Sequence, residues 1–262
     1  MKRYLRLYLN FFRNCLVREM EFRFNLAVWT IMDFVFLGMA FISAELVFGQ
    51  VQTVAGWSKN EVLLLVFTAA LFNDFTWTFM FQSFNYFSDL IRRGNLDFAL
   101  LKPVNPRFLV STRYVEFDHY LRMPFLLYLI IKTLNALQIT PSLSSWLAYL
   151  LLFFLGLFTF YNFFFIIITL NFWFTKIFNL VDFFEEVVGV ARYPIYVFKK
   201  TGRIIFGYLI PTIFIATFPV EVLMGKKGIE TVLFSFLFGV ALFLFSQWFW
   251  NFALKRYSSA SS

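Results

Sequence analysis

The 262 residues are 60% hydrophobic and 23% aromatic, only 15% are charged, and the mean hydropathy is +0.72. Soluble domains carry about 25% charged residues, so this chain lacks the charge to cover a water-facing surface, and its hydrophobicity excludes disorder. The net charge of +8, from 23 Lys+Arg against 15 Asp+Glu, points in such a chain to loops beside anionic lipid rather than to nucleic acid.

The composition predicts an all-α polytopic membrane protein forming one membrane domain over 1–262. Residues 1–22 come first. Lys2, Arg6 and Arg13 share one helical face and Leu5, Tyr8, Phe12 and Leu16 another, the pattern of an amphipathic helix lying in the membrane interface. It serves as an orientation anchor, or as an anchor that also touches a cytoplasmic partner. No cleavable signal segment is expected. Spans of roughly 20 apolar residues are predicted at 25–48, 61–84, 120–137, 146–172 and 229–254. A further span falls between 171 and 225 and has two parses. Hydropathy favours 204–224, interrupted by Pro211 and Pro219. The other parse places it at 177–197, at the cost of Asp182, Glu185 and Glu186 inside a span, and makes 199–228 a re-entrant hairpin on the outer side. Both parses give six spans.

Basic residues cluster before the first span (Lys2, Arg3, Arg6, Arg13, Arg18, Arg23) and after the second (Arg92, Arg93, Lys102, Arg107, Arg113), with Lys255 and Arg256 at the end. The connections 49–60 and 138–145 hold only Lys59. Positive-inside counting therefore predicts cytoplasmic termini and a cytoplasmic loop at 85–109. Trp57 and Trp146 would mark the outer boundary, Trp248 and Trp250 the inner one.

Within that loop, Asp89, Leu90, Ile91, Arg92 and Arg93 can form a short helix, and Gly94 can supply its left-handed stop. Phe98, Leu100 and Leu101 are apolar outside any span, and Pro103 and Pro106 stiffen the exit. The loop is either a docking surface for another protein or an interfacial loop resting on lipid. Arg113–Glu116 and Asp118–Arg122 have helical neighbour spacing, which predicts a cytoplasmic extension of the third span with a solvated His119.

Three ionisable residues fall inside the early spans. Asp33, Asp74 and Lys132 come to a similar depth, roughly 15 Å from the inner face at ~1.5 Å per residue. Lys132 is expected to pair with one aspartate or lie between both. The pair would fix packing or line a path for a polar substrate or proton; a snorkelling Lys132 is the remaining reading. Enzyme signatures are missing: no G-x-x-x-x-G-K-[ST] loop, no G-x-S-x-G elbow and no H-E-x-x-H pair occurs. One Cys (Cys15) and one His leave no disulfide and no zinc cluster. Neither catalysis nor a cofactor or metal is expected in this chain.

The motifs Gly94-Asn95-Leu96-Asp97-Phe98, Leu100-Leu101-Lys102-Pro103 and Asn105-Pro106, with Ala191-Arg192-Tyr193-Pro194, Pro211 and Phe218-Pro219, resemble a bacterial group of ABC permeases of the ABC type 2 exporter class. Asn95, where that group more often has an acid, and Lys199-Lys200, where proline is common, depart from the pattern. The resemblance implies a six-span permease in the bacterial inner membrane with an N-terminal interface helix. It implies a coupling helix after the second span and re-entrant outer helices before the last, which selects the 177–197 parse. It also implies a second permease subunit, same or related, and separate ATPase subunits that bind ATP and magnesium and drive export of a substrate the residues do not specify. An ion-coupled transporter using Asp33, Asp74 and Lys132, or a membrane scaffold without transport, are the alternatives.

Overall fold

The computed structural model describes residues 2–174 and 180–257. Among these residues the architecture is all helical, with a single isolated bridge between Val54 and Trp57. Helices α1 (Lys2–Glu21) and α2 (Arg23–Phe48) open the chain. Helix α3 (Lys59–Thr76) continues through a π-turn, Trp77–Phe81, into α4 (Gln82–Arg92). Short helices α5 (Leu96–Leu100) and α6 (Pro106–Thr112) follow, then α7 (Arg122–Ala136) and α8 (Leu143–Thr169). The last part comprises α9 (Leu180–Ala191), α10 (Lys200–Ile204) with a π-turn to Leu209, α11 (Thr217–Leu223) and α12 (Ile229–Arg256).

Four of these segments are long and apolar enough to cross a membrane: Arg23–Phe48, Lys59–Arg92, Leu143–Phe172 and Ile229–Arg256. A fifth is possible if the bent pair Lys200–Leu209 and Thr212–Leu223 counts as one span. Helix α3 is apolar on every face, and such a helix belongs inside a bundle. Residues Val62 to Ala69 and Leu71 to Asp74 are buried, and α2, α7, α8, α9 and α11 all pack against it. By contrast α2 and α12 present most of their apolar surface outward, including Phe36, Met39, Leu237 and Leu244, as helices in lipid do. Helices α8 and α12 form the most extensive pairing. Gly156 of α8 allows the closest backbone approach, because a Cβ there would collide with the Phe214 carbonyl oxygen.

Several expectations need correction. The helix of the second span does not stop at 84. The 34 residues Lys59–Arg92 form one helical rod, about 50 Å long at ~1.5 Å per residue, against a hydrocarbon core of about 30 Å. The third span is shorter than 120–137, since α7 has only 15 residues. Residues 113–121 are non-helical, so the expected helical extension does not form. The backbone of that stretch is satisfied by its neighbours instead. Glu116 N donates to Thr78 O at 3.1 Å, Tyr114 N to Ser83 Oγ at 2.9 Å, and Thr30 Oγ1 donates to Asp118 O at 3.0 Å. A π-turn leaves a carbonyl without its usual helical donor, and the Thr78 carbonyl in the Trp77–Phe81 turn is the one Glu116 meets.

A straight helix over 204–224 is not formed. The two helices there meet at 70°. The break falls at Pro211, and Ile210 before it is extended, as a residue preceding proline prefers. Pro219 is not a break. It is the third residue of α11, where an amide hydrogen would have no intrahelical acceptor anyway. The alternative span 177–197 contains α9, which is 12 residues long; positions 177–179 and the Asp182 side chain lie outside the described residues. Of the four boundary tryptophans, Trp57 and Trp250 are in the core and Trp248 faces outward.

The molecule has two distinct ends. At one, Lys226 pairs with Glu61 at 2.6 Å and lies over the Trp57 ring, joining the 225–228 turn to the 49–60 connection. At the other, Arg3 donates to Pro103 O at 2.8 Å and Tyr4 packs edge-on against Phe108. Helix α1 thus clamps the loop that follows α4. Its protein-facing side is Leu7, Tyr8, Phe11, Phe12 and Cys15, while Leu5 and Leu16 point outward.

Candidate functional site: a buried charge cluster and a protruding loop

Asp33 of α2 and Asp74 of α3 do come together, but Lys132 does not join them. Lys132 is exposed on α7 and among the described residues makes no ion pair. Arg122 takes its place. Its Nε donates to both Asp74 carboxylate oxygens at 3.1 Å, and its Nη2 donates to Asp74 Oδ1 as well. Its Nη1 donates to the Asp33 carbonyl oxygen at 2.9 Å and lies 3.2 Å from Asp33 Oδ1. His119 Nδ1 lies 2.6 Å from Asp33 Oδ2 and 4.0 Å from Asp74 Oδ1. His119 is therefore a buried partner rather than a solvated one. The non-helical stretch before α7 is what carries it, three residues ahead of Arg122, down onto the acids.

Burial alone would lower the His119 pKa, but the hydrogen bond and the charges of Asp33 and Asp74 outweigh it and raise the value. The shift runs toward the imidazolium form. Trp77 packs beside His119, with centroids 6.0 Å apart, and donates from Nε1 to Glu185 at 2.9 Å. Acidic neighbours crowd the same stretch. Burial, with the charges of Asp118 and Glu19, pushes Glu116 up to about 7 against the opposing pull of His119 and Arg18. Asp118 is raised as well, chiefly by burial.

The second feature is the loop beyond α4. Asp89, Leu90, Ile91 and Arg92 are not a separate short helix but the last turns of the long rod. Gly94 stops it with φ +68. Asn95 N donates to Leu90 O and Gly94 N to Ile91 O, the paired bonds of a left-handed helix stop. Leu90 and Ile91 are buried and fix the tip to the bundle, whereas Arg92, Arg93, Phe98 and Leu101 are exposed. Arg92 and Arg93 both reach Asp89, at 2.6 and 3.7 Å. Such exposed pairs contribute little to stability, which leaves the arginines free to exchange partners. Asn105 caps α6, accepting from Arg107 N and Phe108 N, with Pro106 at the first helical position.

A bundle with four or five segments long and apolar enough to cross a membrane, a buried charge cluster and a rod with a basic and apolar tip has the build of a multi-pass membrane protein. Residues 34–261 match the family model described as ABC-2 family transporter protein, and the chain belongs to that family. It is an ABC transporter permease, a membrane component that generally works with ATPase subunits and is generally not itself catalytic. Neither a curated protein nor a solved structure matches the chain.

Removing one partner of a buried ion pair leaves a stranded charge, which costs about 3–5 kcal/mol. Asp74→Asn and Arg122→Met should each lower the unfolding temperature in detergent strongly, while Lys132→Met should stay within about 0.5 kcal/mol of the parent. The raised carboxyl and imidazole both mean that the folded state holds more protons than the unfolded one. That stability is lost as pH rises through about 7 for Glu116 and above the ordinary histidine range for His119. Thermal unfolding measured from pH 5 to 8 should show a falling midpoint, and Glu116→Gln should flatten the fall and be the more stable chain at pH 8.

Proposed function

We propose that the chain is the membrane-spanning subunit of an ATP-driven exporter in the bacterial inner membrane, paired with a second permease and with two ATPase subunits that bind ATP and magnesium. The observation that carries this reading is the tip of the α3–α4 rod. A helix about 50 Å long crosses a core of about 30 Å with several turns to spare, and those turns end in a rigid stop. Beside it lie exposed Arg92, Arg93, Phe98 and Leu101. Exposed apolar residues rimmed by charge are suited to a protein partner. The clamp of α1 on the same loop means that a push on the tip is shared by the N-terminal helix, which lies in the inner interface in this reading. Six spans, cytoplasmic termini and an outward-facing hairpin at 199–228 belong to the same proposal, supported by the bend at Pro211 and by the pairing of the 225–228 turn with the 49–60 connection.

In this reading ATP-driven closure of the partner subunits moves the rod as a rigid element, and packed helices shift relative to the second permease. The chain has no phosphate loop, so the energy arrives from outside it. The test is the reconstituted complex with its cognate ATPase. Charge reversal at both arginines, Arg92→Glu with Arg93→Glu, should leave assembly of the permease fold intact and cut transport-coupled ATP hydrolysis by at least about tenfold, since loss of even one buried charge contact across an interface costs about 2 kcal/mol or more, above the ~1.4 kcal/mol of a tenfold step. Unchanged coupled hydrolysis in the double variant would contradict the assignment of this tip.

A further inference from the structure

Arg107 is as buried as Arg122, at 8% against 5% exposure, but its surroundings are opposite in kind. Arg122 meets two carboxylates. Arg107 meets only neutral groups: Tyr161 Oη at 3.3 Å from Nε, Gln247 Oε1 at 2.8 Å from Nη1, and Asn162 Oδ1 and Ser246 Oγ at 2.8 and 2.9 Å from Nη2. Its guanidinium stands 4.2 Å from the Phe165 ring centroid. Among the described residues no carboxylate lies within ion-pair distance of it. A guanidinium carries five N–H donors; these contacts use four and leave one on Nη1. A buried cation without a counter-charge is costly in or beside a membrane, and neutral dipoles only partly offset it.

The same arginine lines a cleft of about 570 Å³. Phe79, Met80, Phe108 and Phe243 form its apolar walls, and Tyr8, Asn105, Ser111, Thr112 and Tyr161 add polar groups around Arg107. Three of these wall residues belong to segments long and apolar enough to cross a membrane: Phe79 and Met80 to Lys59–Arg92 and Phe243 to Ile229–Arg256. Next to Phe243 along α12, Leu244, Phe245 and Trp248 are exposed, so the cleft borders the lipid-facing side of that helix. A small inorganic anion would satisfy the charge but waste the apolar walls. A neutral lipid would fill the walls but leave the charge.

We propose that this cleft binds one anionic lipid, its acidic headgroup at Arg107 and part of a chain against Phe79, Met80, Phe108 and Phe243. The assignment goes beyond the transport reading and does not depend on it. Arg107 is held for this task by both permanent neighbours: Asn162 of α8 and Ser246 of α12 bond each other at 2.7 Å as well as the guanidinium. A lipid at this place would therefore reinforce the junction of α6, α8 and α12, directly behind the protruding loop.

The full chain in neutral detergent tests this by native mass spectrometry and thermal unfolding, with dioleoyl phosphatidic acid, dioleoyl phosphatidylcholine and inorganic phosphate as the probes. Phosphatidic acid should bind one per chain and be preferred over phosphatidylcholine by about tenfold, the scale of one charge-assisted contact. Inorganic phosphate alone should give no saturable stabilisation. Arg107→Gln should abolish the preference. Thr112→Trp, which fills the cleft while leaving Arg107 in place, should weaken phosphatidic acid binding to a similar degree and carries the test if Arg107→Gln does not fold. Equal binding of the two lipids, an unchanged preference in either folded variant, or phosphate binding as strong as that of phosphatidic acid would overturn the proposal.

Discussion

Buried charges inside an apolar bundle must neutralise one another, and that constraint organises this protein. Asp33 and Asp74 sit on the first two long helices with no water-facing surface to relieve them. Among the described residues, Arg122 and His119 are the bases that pair with them. To deliver them, the chain between α6 and α7 gives up helical structure over residues 113–121 and runs down beside α2 and α3. The backbone groups so released find acceptors and donors on α1, α2 and the π-turn of the rod: Val115 N meets Cys15 Sγ at 3.5 Å, and Glu116 N meets Thr78 O. The π-turn, the short third helix and the docking of α1 are linked consequences of one electrostatic requirement. Non-helical backbone beside apolar helices is tolerated where protein covers it, and Val115 at the middle of the stretch is buried while its neighbours 113–120 are half-buried.

The same residues that hold the bundle also connect its protruding loop to its far helices. Phe87 of α4 packs on Trp250 of α12 with centroids 5.5 Å apart, and Trp250 packs on Phe165 of α8 at 5.2 Å. Arg107 of α6 reaches α8 and α12 through Asn162 and Ser246. Aromatic contacts of this kind are stiff and contribute beyond their buried area. Much of the phenylalanine content is therefore spent on joining helices inside the bundle, and another part, as on α2 and α12, faces outward. The tip, α8 and α12 form a continuous packed unit. Continuity of packing is the physical prerequisite for a displacement at the tip to reach the far helices.

Much of this was legible in the sequence. Composition alone identified a polytopic helical membrane protein, and the family resemblance rested on residues that the structure places at real features. Gly94 is the left-handed stop, Pro106 opens α6, and Pro211 marks a bend. The long apolar helices at 25–48, 146–172 and 229–254 lie within three residues of their expected bounds because hydropathy reads length directly, whereas the second runs on to Arg92, beyond its apolar part. The charge cluster was half legible. The matching depth of Asp33 and Asp74 follows from counting residues along antiparallel helices. Their true partners could not be counted, because His119 and Arg122 lie on a non-helical stretch whose depth is set by tertiary contacts 86 and 48 residues away in sequence. Lys132 looked equivalent by the same count but faces outward on α7. The i,i+4 spacing of Asp118 and Arg122 misled for the same reason: it has meaning only where a helix exists. In the sequence Arg107 is one more basic residue of the 85–109 loop, since nothing local distinguishes an exposed arginine from one drawn between α8 and α12.

The central claim is that Asp74 and Arg122 are energetically one unit and not neighbours by accident. A double-mutant cycle with Asp74→Asn and Arg122→Met, read by reversible unfolding of the purified permease in detergent, measures that directly. The account requires the second substitution to cost much less once the first is made, with a coupling energy of about 1–3 kcal/mol. Additive effects, with coupling near zero, would contradict it.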